Sequence, residues 1–84
     1  MSREVTVKFG DQAATVPCSI FISITEAVRE ARPIFSQRGV ELPEKWGWSI
    51  AGYGSGLPEC EHPLFPGDSV EVFALLIPVG REEV

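Results

Sequence analysis

The chain has 84 residues, which is enough for one compact domain and too few for two, because each domain must enclose its own core. Hydrophobic residues make up 44% of it and charged residues 23%, which is typical of a folded domain and not of a disordered segment. The formal net charge of −5 would repel phosphate backbones, and the basic residues are scattered, so the sequence argues against nucleic-acid binding.

The sequence also argues against a membrane segment. No stretch approaches the roughly 20 apolar residues that a membrane helix needs, and the N-terminal residues Met-Ser-Arg-Glu lack the apolar core of a signal peptide. We therefore expect a cytoplasmic protein. Its two cysteines, Cys18 and Cys60, are expected to be reduced thiols, because a domain of this size can form its core without a disulfide.

The N-terminal residues predict a β-hairpin. Val5, Val7 and Phe9 alternate with polar residues, which places them on one face of a strand. Residues 10–12 are a plausible turn, and residues 13–16 resume extended character until Pro17.

A helix is predicted to begin at Ser23. Ser23 followed by Glu26 fits a capping box, in which each side chain satisfies a backbone N–H of the first turn. The next apolar residues recur at helical spacing and form one stripe: Ile24, Ala27, Val28 and Ala31. Pro33 cannot donate to the carbonyl of Arg29, so the regular helix is predicted to stop or kink there, with one more turn over 34–38 and Gly39 as the stop.

The second half of the chain predicts two more strands. Trp46, Trp48 and Ile50 alternate with small residues and indicate a strand with one bulky, core-facing side. Residues 52–56 are then expected to turn the chain, and residues 57–64 have no clear pattern. A further turn at 66–68 precedes the strongest predicted strand, over residues 69–77.

The last strand is apolar on both faces. Its inward residues are predicted to be Val70, Val72, Ala74 and Leu76. The alternate residues, Phe73, Leu75 and Ile77, then have no helix to pack under. Two accounts of them are possible: a lid formed by a loop or by self-association, or a docking patch for a partner protein.

These elements predict an α+β domain with two layers. If the last strand pairs with the first, the helix lies across one face of a mixed sheet of four to five strands. The strand periods and the helix stripe then meet in one core, formed by Val5, Val7, Ile24, Val28, Trp48, Ile50, Val70 and Val72.

Catalytic and metal-binding patterns are weak. The Cys60-Glu61-His62 segment suggests a metal, but only Cys18 and a carboxylate could complete four ligands, so we expect no metal site. The chain has one histidine, no nucleophile and base at a recognisable spacing, and no cofactor motif. We therefore expect no catalytic residue and no cofactor.

Residues 64–80 read Leu-Phe-Pro-Gly-Asp-Ser-Val-Glu-Val-Phe-Ala-Leu-Leu-Ile-Pro-Val-Gly. This segment resembles the C-terminal signature of the ThiS/MoaD sulfur-carrier branch of the ubiquitin-like families, in which a Gly-Asp turn opens the last strand and a glycine tail follows. The order of the predicted elements agrees across nearly the whole chain. The resemblance implies a β-grasp (ubiquitin-like) domain over residues 1–78 and a flexible tail over 79–84.

The resemblance also implies a function. Such proteins are activated by a partner enzyme that adenylates the C-terminal glycine carboxylate, which then becomes a thiocarboxylate or is joined to a target. The matching residue is Gly80, but this chain has one glycine where the family usually has two, and Arg81 to Val84 follow it. Removal of those four residues, as by a processing peptidase, would be required.

Two functions are therefore open from the sequence. One is a carrier or protein modifier, and the other is a non-conjugated β-grasp interaction module that serves as an adaptor or small subunit. In either case we predict a partner-binding surface made of Phe73, Leu75, Ile77, Pro78 and Val79.

Overall fold

A computed structural model describes residues 3–58 and 62–75 of the chain. The described residues form strands β1 (Glu4–Phe9), β2 (Gln12–Pro17), β3 (Ile22–Ser23), β4 (Trp46–Ile50), β5 (Gly54–Gly56), β6 (Pro63–Leu64) and β7 (Ser69–Ala74), with one helix, α1 (Ile24–Gln37). The helix packs on a mixed sheet of five strands, so the domain belongs to the α+β class, as the sequence predicts.

The sheet has the strand order β2-β1-β7-β4-β5. Strands β1 and β7 run parallel, and the other neighbours are antiparallel. The predicted hairpin is confirmed, and the last strand pairs with the first, which is the condition that the predicted two-layer arrangement requires. The hairpin turn is Gly10-Asp11, and Gly10 has φ +64°, as the first central position of a type II′ turn requires.

The helix begins and ends with hydrogen-bonded caps. The Ser23 hydroxyl accepts a hydrogen bond from the Glu26 backbone N–H at 3.1 Å, which confirms the predicted N-cap. At the other end, the Gly39 N–H bonds the Ser36 carbonyl and the Val40 N–H bonds the Phe35 carbonyl. This is a Schellman motif, and Gly39 supplies the positive φ that it needs.

The helix does not stop at Pro33, which was one of the two outcomes predicted there, whereas the predicted further turn over 34–38 and the stop at Gly39 are confirmed. The helix continues through Pro33 to Gln37. The physical reason is Phe35, which extends the buried stripe by one turn beyond Ala31 and is completely buried. Tertiary packing of this side chain outweighs the hydrogen bond that the Arg29 carbonyl loses to proline.

The prediction of a turn over residues 52–56 is only partly correct. The turn is confined to residues 51–53, where the Tyr53 N–H bonds the Ile50 carbonyl at 3.0 Å, and Gly54–Gly56 pair with β4 as strand β5. Glycine is needed at position 56, because a Cβ there would lie 2.7 Å from the Trp48 ring. The unpatterned segment that follows contains the short strand β6, which pairs with β3.

The core lies between the sheet and the helix. Seven of the eight predicted core residues are buried there: Val5, Val7, Ile24, Val28, Trp48, Val70 and Val72. Ile50 is only partly buried, near the end of β4. Ala74, predicted to face inward, is exposed, because it is the last residue of β7 and lies at the margin of the sheet.

Candidate interaction surface

The side of the sheet opposite the helix presents Phe73. The register of β4 and β7 places Phe73 opposite Gly47, and its ring lies over that glycine. A Cβ on residue 47 would approach the Phe73 ring to 2.8 Å. The ring therefore rests on bare backbone, and 39% of Phe73 stays exposed.

Leu75 lies two residues after Phe73, directly beyond the end of β7. Its N–H donates to the Lys45 carbonyl at 3.0 Å, which extends the pairing of β7 with β4 by one residue. Leu75 is half-buried and lines a shallow groove with Trp46, Leu57, Pro58, Glu44 and Lys45. The other predicted surface and activation residues, Ile77, Pro78, Val79 and Gly80, lie outside the described residues.

Polar residues occupy most of the remaining outer face. Lys8 on β1 lies opposite Glu71 on β7, and Glu71 lies opposite Ser49 on β4. These three residues line a small depression together with Ser69. Within the described part of this face, Phe73 is thus the large exposed apolar side chain among polar residues.

A second apolar surface lies at the end of the domain where β3 and β6 pair. Ile20, Phe21 and Phe65 are all exposed there, and the two phenylalanine rings lie 6.3 Å apart. The backbone at Phe65 is held by the turn that follows, because the Asp68 carboxylate accepts the Phe65 N–H at 2.9 Å. The sequence does not predict this surface, because its residues fall in short segments without a clear hydrophobic periodicity.

Trp48, Tyr53 and His62 form an aromatic cluster beside β5. The Tyr53 and His62 rings lie 4.1 Å apart, and the Trp48 ring lies 5.9 Å from His62. The Trp48 indole N–H donates to the Leu57 carbonyl at 2.9 Å. The prediction that both tryptophans face the core is confirmed, and His62 acts here as a packing partner of Trp48.

The described residues offer little for metal or thiol chemistry. They contain no group of three or more His, Cys, Asp or Glu side chains that could hold a metal ion, and Cys60 and Glu61 lie outside them. Cys18 is buried, with its Sγ 3.8 Å from the Leu64 carbonyl, so it has the environment of a small apolar core residue.

Comparison with known proteins adds no relative. No family model matches the chain, and neither a curated protein nor a solved structure matches it. In the part of the chain that the structure describes, α1 is too short and too polar to cross a membrane.

Proposed function

We propose that this protein is a β-grasp domain of the ubiquitin-like type that acts as a carrier or protein modifier through Gly80. The fold proposal is supported by the parallel pairing of the first and last strands and by the single helix across the sheet. Both are arrangements that a β-grasp requires. The chain would itself catalyse nothing, and its chemistry would come from an activating enzyme.

The observation that carries the functional proposal is the position of β7. It is the central strand, held between β1 and β4, and the chain continues from it toward Gly80. A strand fixed on both sides gives the tail a rigid base. Phe73 and Leu75, close to the end of this strand, provide an apolar contact for an enzyme that must hold the domain while it acts on the tail.

Under this proposal, the activating enzyme adenylates the carboxylate of Gly80 after residues 81–84 have been removed. Glycine suits a narrow channel, because it has no Cβ. A sulfide-level sulfur nucleophile or an amine of the target then attacks the acyl-adenylate and expels AMP, which gives a thiocarboxylate or an amide-linked conjugate. A non-conjugated interaction module remains the alternative, and it uses the same Phe73 surface without any chemistry at Gly80.

The experiment compares two shortened chains, one ending at Gly80 and one ending at Val79, expressed in the native cell in place of the full chain. The chain ending at Gly80 is expected to function without processing and to be recovered as a thiocarboxylate or a conjugate by mass spectrometry. The chain ending at Val79 is the matched control, and it is expected to be inactive. Equal function of both would favour the interaction module.

A further inference from the structure

The last described residues of β7 and of the chain after it are held by β4. Among the residues that the structure describes, β1 pairs with β7 only as far as Val72. Pairing with β4 continues to Ala74. One further hydrogen bond follows, from the Leu75 N–H to the Lys45 carbonyl at 3.0 Å. The position of Leu75 therefore depends on the residues that come just before β4.

Those residues form an irregular segment, 40–45, which joins the end of α1 to β4. The Leu42 side chain is buried in the core and fixes one point of the segment. Pro43 follows and has no backbone N–H. At the peptide bond between these two residues, only the carbonyl can take part in a hydrogen bond. A donor from elsewhere in the fold is therefore needed to orient this part of the segment.

Arg32 on α1 is that donor. Its Nη1 donates to the Leu42 carbonyl at 3.0 Å, and its Nη2 donates to the Pro43 carbonyl at 3.4 Å. The guanidinium is planar and presents its N–H groups in a fixed arrangement. One partly buried side chain thus orients two consecutive carbonyls of the 40–45 segment.

Open grooves flank this contact. One groove is lined by Arg32, Ser36 and the segment residues 40–44, and another is lined by Arg32, Arg29 and Trp46. Side-chain packing between α1 and the segment is limited where these grooves lie, so the two hydrogen bonds of Arg32 bridge a gap. Hydrogen bonds from a charged donor are among the stronger ones in proteins. Loss of the guanidinium should therefore loosen the segment without removing a part of the core.

We propose that Arg32 is a positioning residue for the end of β7. It directs the 40–45 segment into Lys45, and the Lys45 carbonyl in turn holds Leu75. The chain continues from Leu75 toward Gly80, so this contact couples α1 to the place where the tail begins. The coupling itself is a property of the domain, whereas its consequence for activation rests on the function proposed above for Gly80.

Amide hydrogen exchange of the full chain, followed by NMR, tests the coupling. Arg32→Met keeps an apolar stem and removes the donors. The Leu75 amide should then exchange about tenfold faster, because its acceptor is less firmly held. The Thr6 amide bonds the Asp68 carbonyl at 3.0 Å, before the start of β7, and should keep its exchange rate.

Two further variants separate positioning from general stability. Arg38 lies at the C-cap of α1 and also bonds a backbone carbonyl, that of Ala13 on β2, so Arg38→Met is the matched control and should leave the Leu75 amide unchanged. Arg32→Lys keeps the charge and a donor but not the planar fork, and it should restore part of the protection. Equal acceleration at Leu75 and Thr6, an unchanged Leu75 rate, or the same effect from Arg38→Met would each overturn the proposal.

The consequence for activation has its own readout. Arg32→Met, placed in the chain ending at Gly80 and expressed in the native cell, should lower the yield of thiocarboxylate or conjugate severalfold, because a loosened base misplaces the carboxylate. Equal yields with Arg32 and with Met would show that Arg32 does not position the tail for activation. If the chain ending at Gly80 with Arg32 intact gives no modified form, the function proposed for Gly80 fails, while the exchange result at Leu75 still decides the coupling.

Discussion

At the scale of single residues, the position of the Phe73 ring depends on the absence of a Cβ at Gly47. A Cβ on residue 47 would lie 2.8 Å from the Phe73 ring and 3.2 Å from the Gly56 carbonyl oxygen. The atoms in conflict are at the far end of the Phe73 side chain, which is partly exposed and able to move. A methyl group at residue 47 therefore displaces the ring and leaves the sheet intact.

We predict that Gly47→Ala lowers the free energy of unfolding by about 1 kcal/mol in the native sequence. Phe73→Ser alone should leave the fold mostly intact, because Phe73 is partly exposed, while weakening capture of a partner. In the Phe73→Ser background, Gly47→Ala should cost much less, because the clashing ring is gone. Urea denaturation of the four proteins measures this coupling, and strictly additive changes would show that the two residues do not interact.

Substitution of two buried valines tests the predicted composition of the core. Val28 on α1 and Val70 on β7 are almost completely buried on facing layers. Val28→Ala and Val70→Ala should each lower the free energy of unfolding by about 1–3 kcal/mol through lost burial and a cavity. Thr15→Ala, on the exposed side of β2, is the control and should change little. Unchanged urea midpoints for both valine variants would contradict the facing that we assign to these strands.

At the scale of elements, the sequence predicts best where a local pattern and the tertiary contacts agree. The hairpin, the N-cap at Ser23, the helix stripe and β4 each follow from residues close together in the chain. The sequence predicts one more turn after Pro33, but the uninterrupted passage of the helix through Pro33 does not follow from the local pattern, because burial of Phe35 decides it. Strand β5 was missed because its glycines resemble a turn, and their role depends on the Trp48 ring above Gly56.

The candidate interaction surface, too, could be predicted from the sequence only in part. The outward direction of Phe73 follows from the two-residue period of β7, but Gly47 beneath it becomes visible only once the register of β4 and β7 is known. The patch of Phe21 and Phe65 joins residues far apart in sequence through β3 and β6. No periodicity of either segment alone carries that information.

The N-cap gives an element-scale prediction. The Ser23 hydroxyl satisfies a backbone N–H that the first helical turn would otherwise leave unpaired. Ser23→Ala should lower the free energy of unfolding by about 1 kcal/mol. Ser36→Ala, an exposed position within the same helix, is the matched control and should be neutral or slightly stabilising. Thermal unfolding of both variants compares them, and equal melting temperatures would show that the cap contributes nothing.

At the scale of the whole molecule, the domain and its tail have separate tasks in the function that we propose. The domain supplies a rigid central strand and an apolar anchor at Phe73, and Gly80 supplies the reactive carboxylate. Stability and function should therefore respond to different substitutions. Changes in the core should alter the unfolding midpoint, whereas changes at Gly80 should alter processing and transfer at an unchanged midpoint.

The tail prediction separates a carrier from an interaction module. Pro78 cannot donate a backbone hydrogen bond, so strand pairing is predicted to weaken there and leave the residues that follow accessible to a peptidase. Cleavage after Gly80 removes Arg81, Glu82 and Glu83, so the formal charge changes from −5 to −4, since one positive and two negative charges are lost.

We predict that the protein recovered from its native cell has the intact mass of a chain ending at Gly80, and that Gly80→Asp blocks both cutting and transfer. Aspartate adds a Cβ and a negative charge where a narrow channel must pass the backbone and an enzyme must bring the carboxylate next to a nucleotide phosphate. Glu82→Asp is the matched control, because it keeps the charge and lies beyond the cut, and it should be processed normally. A native protein that always retains Val84, together with full function of Gly80→Asp, would leave the interaction module as the function of this chain.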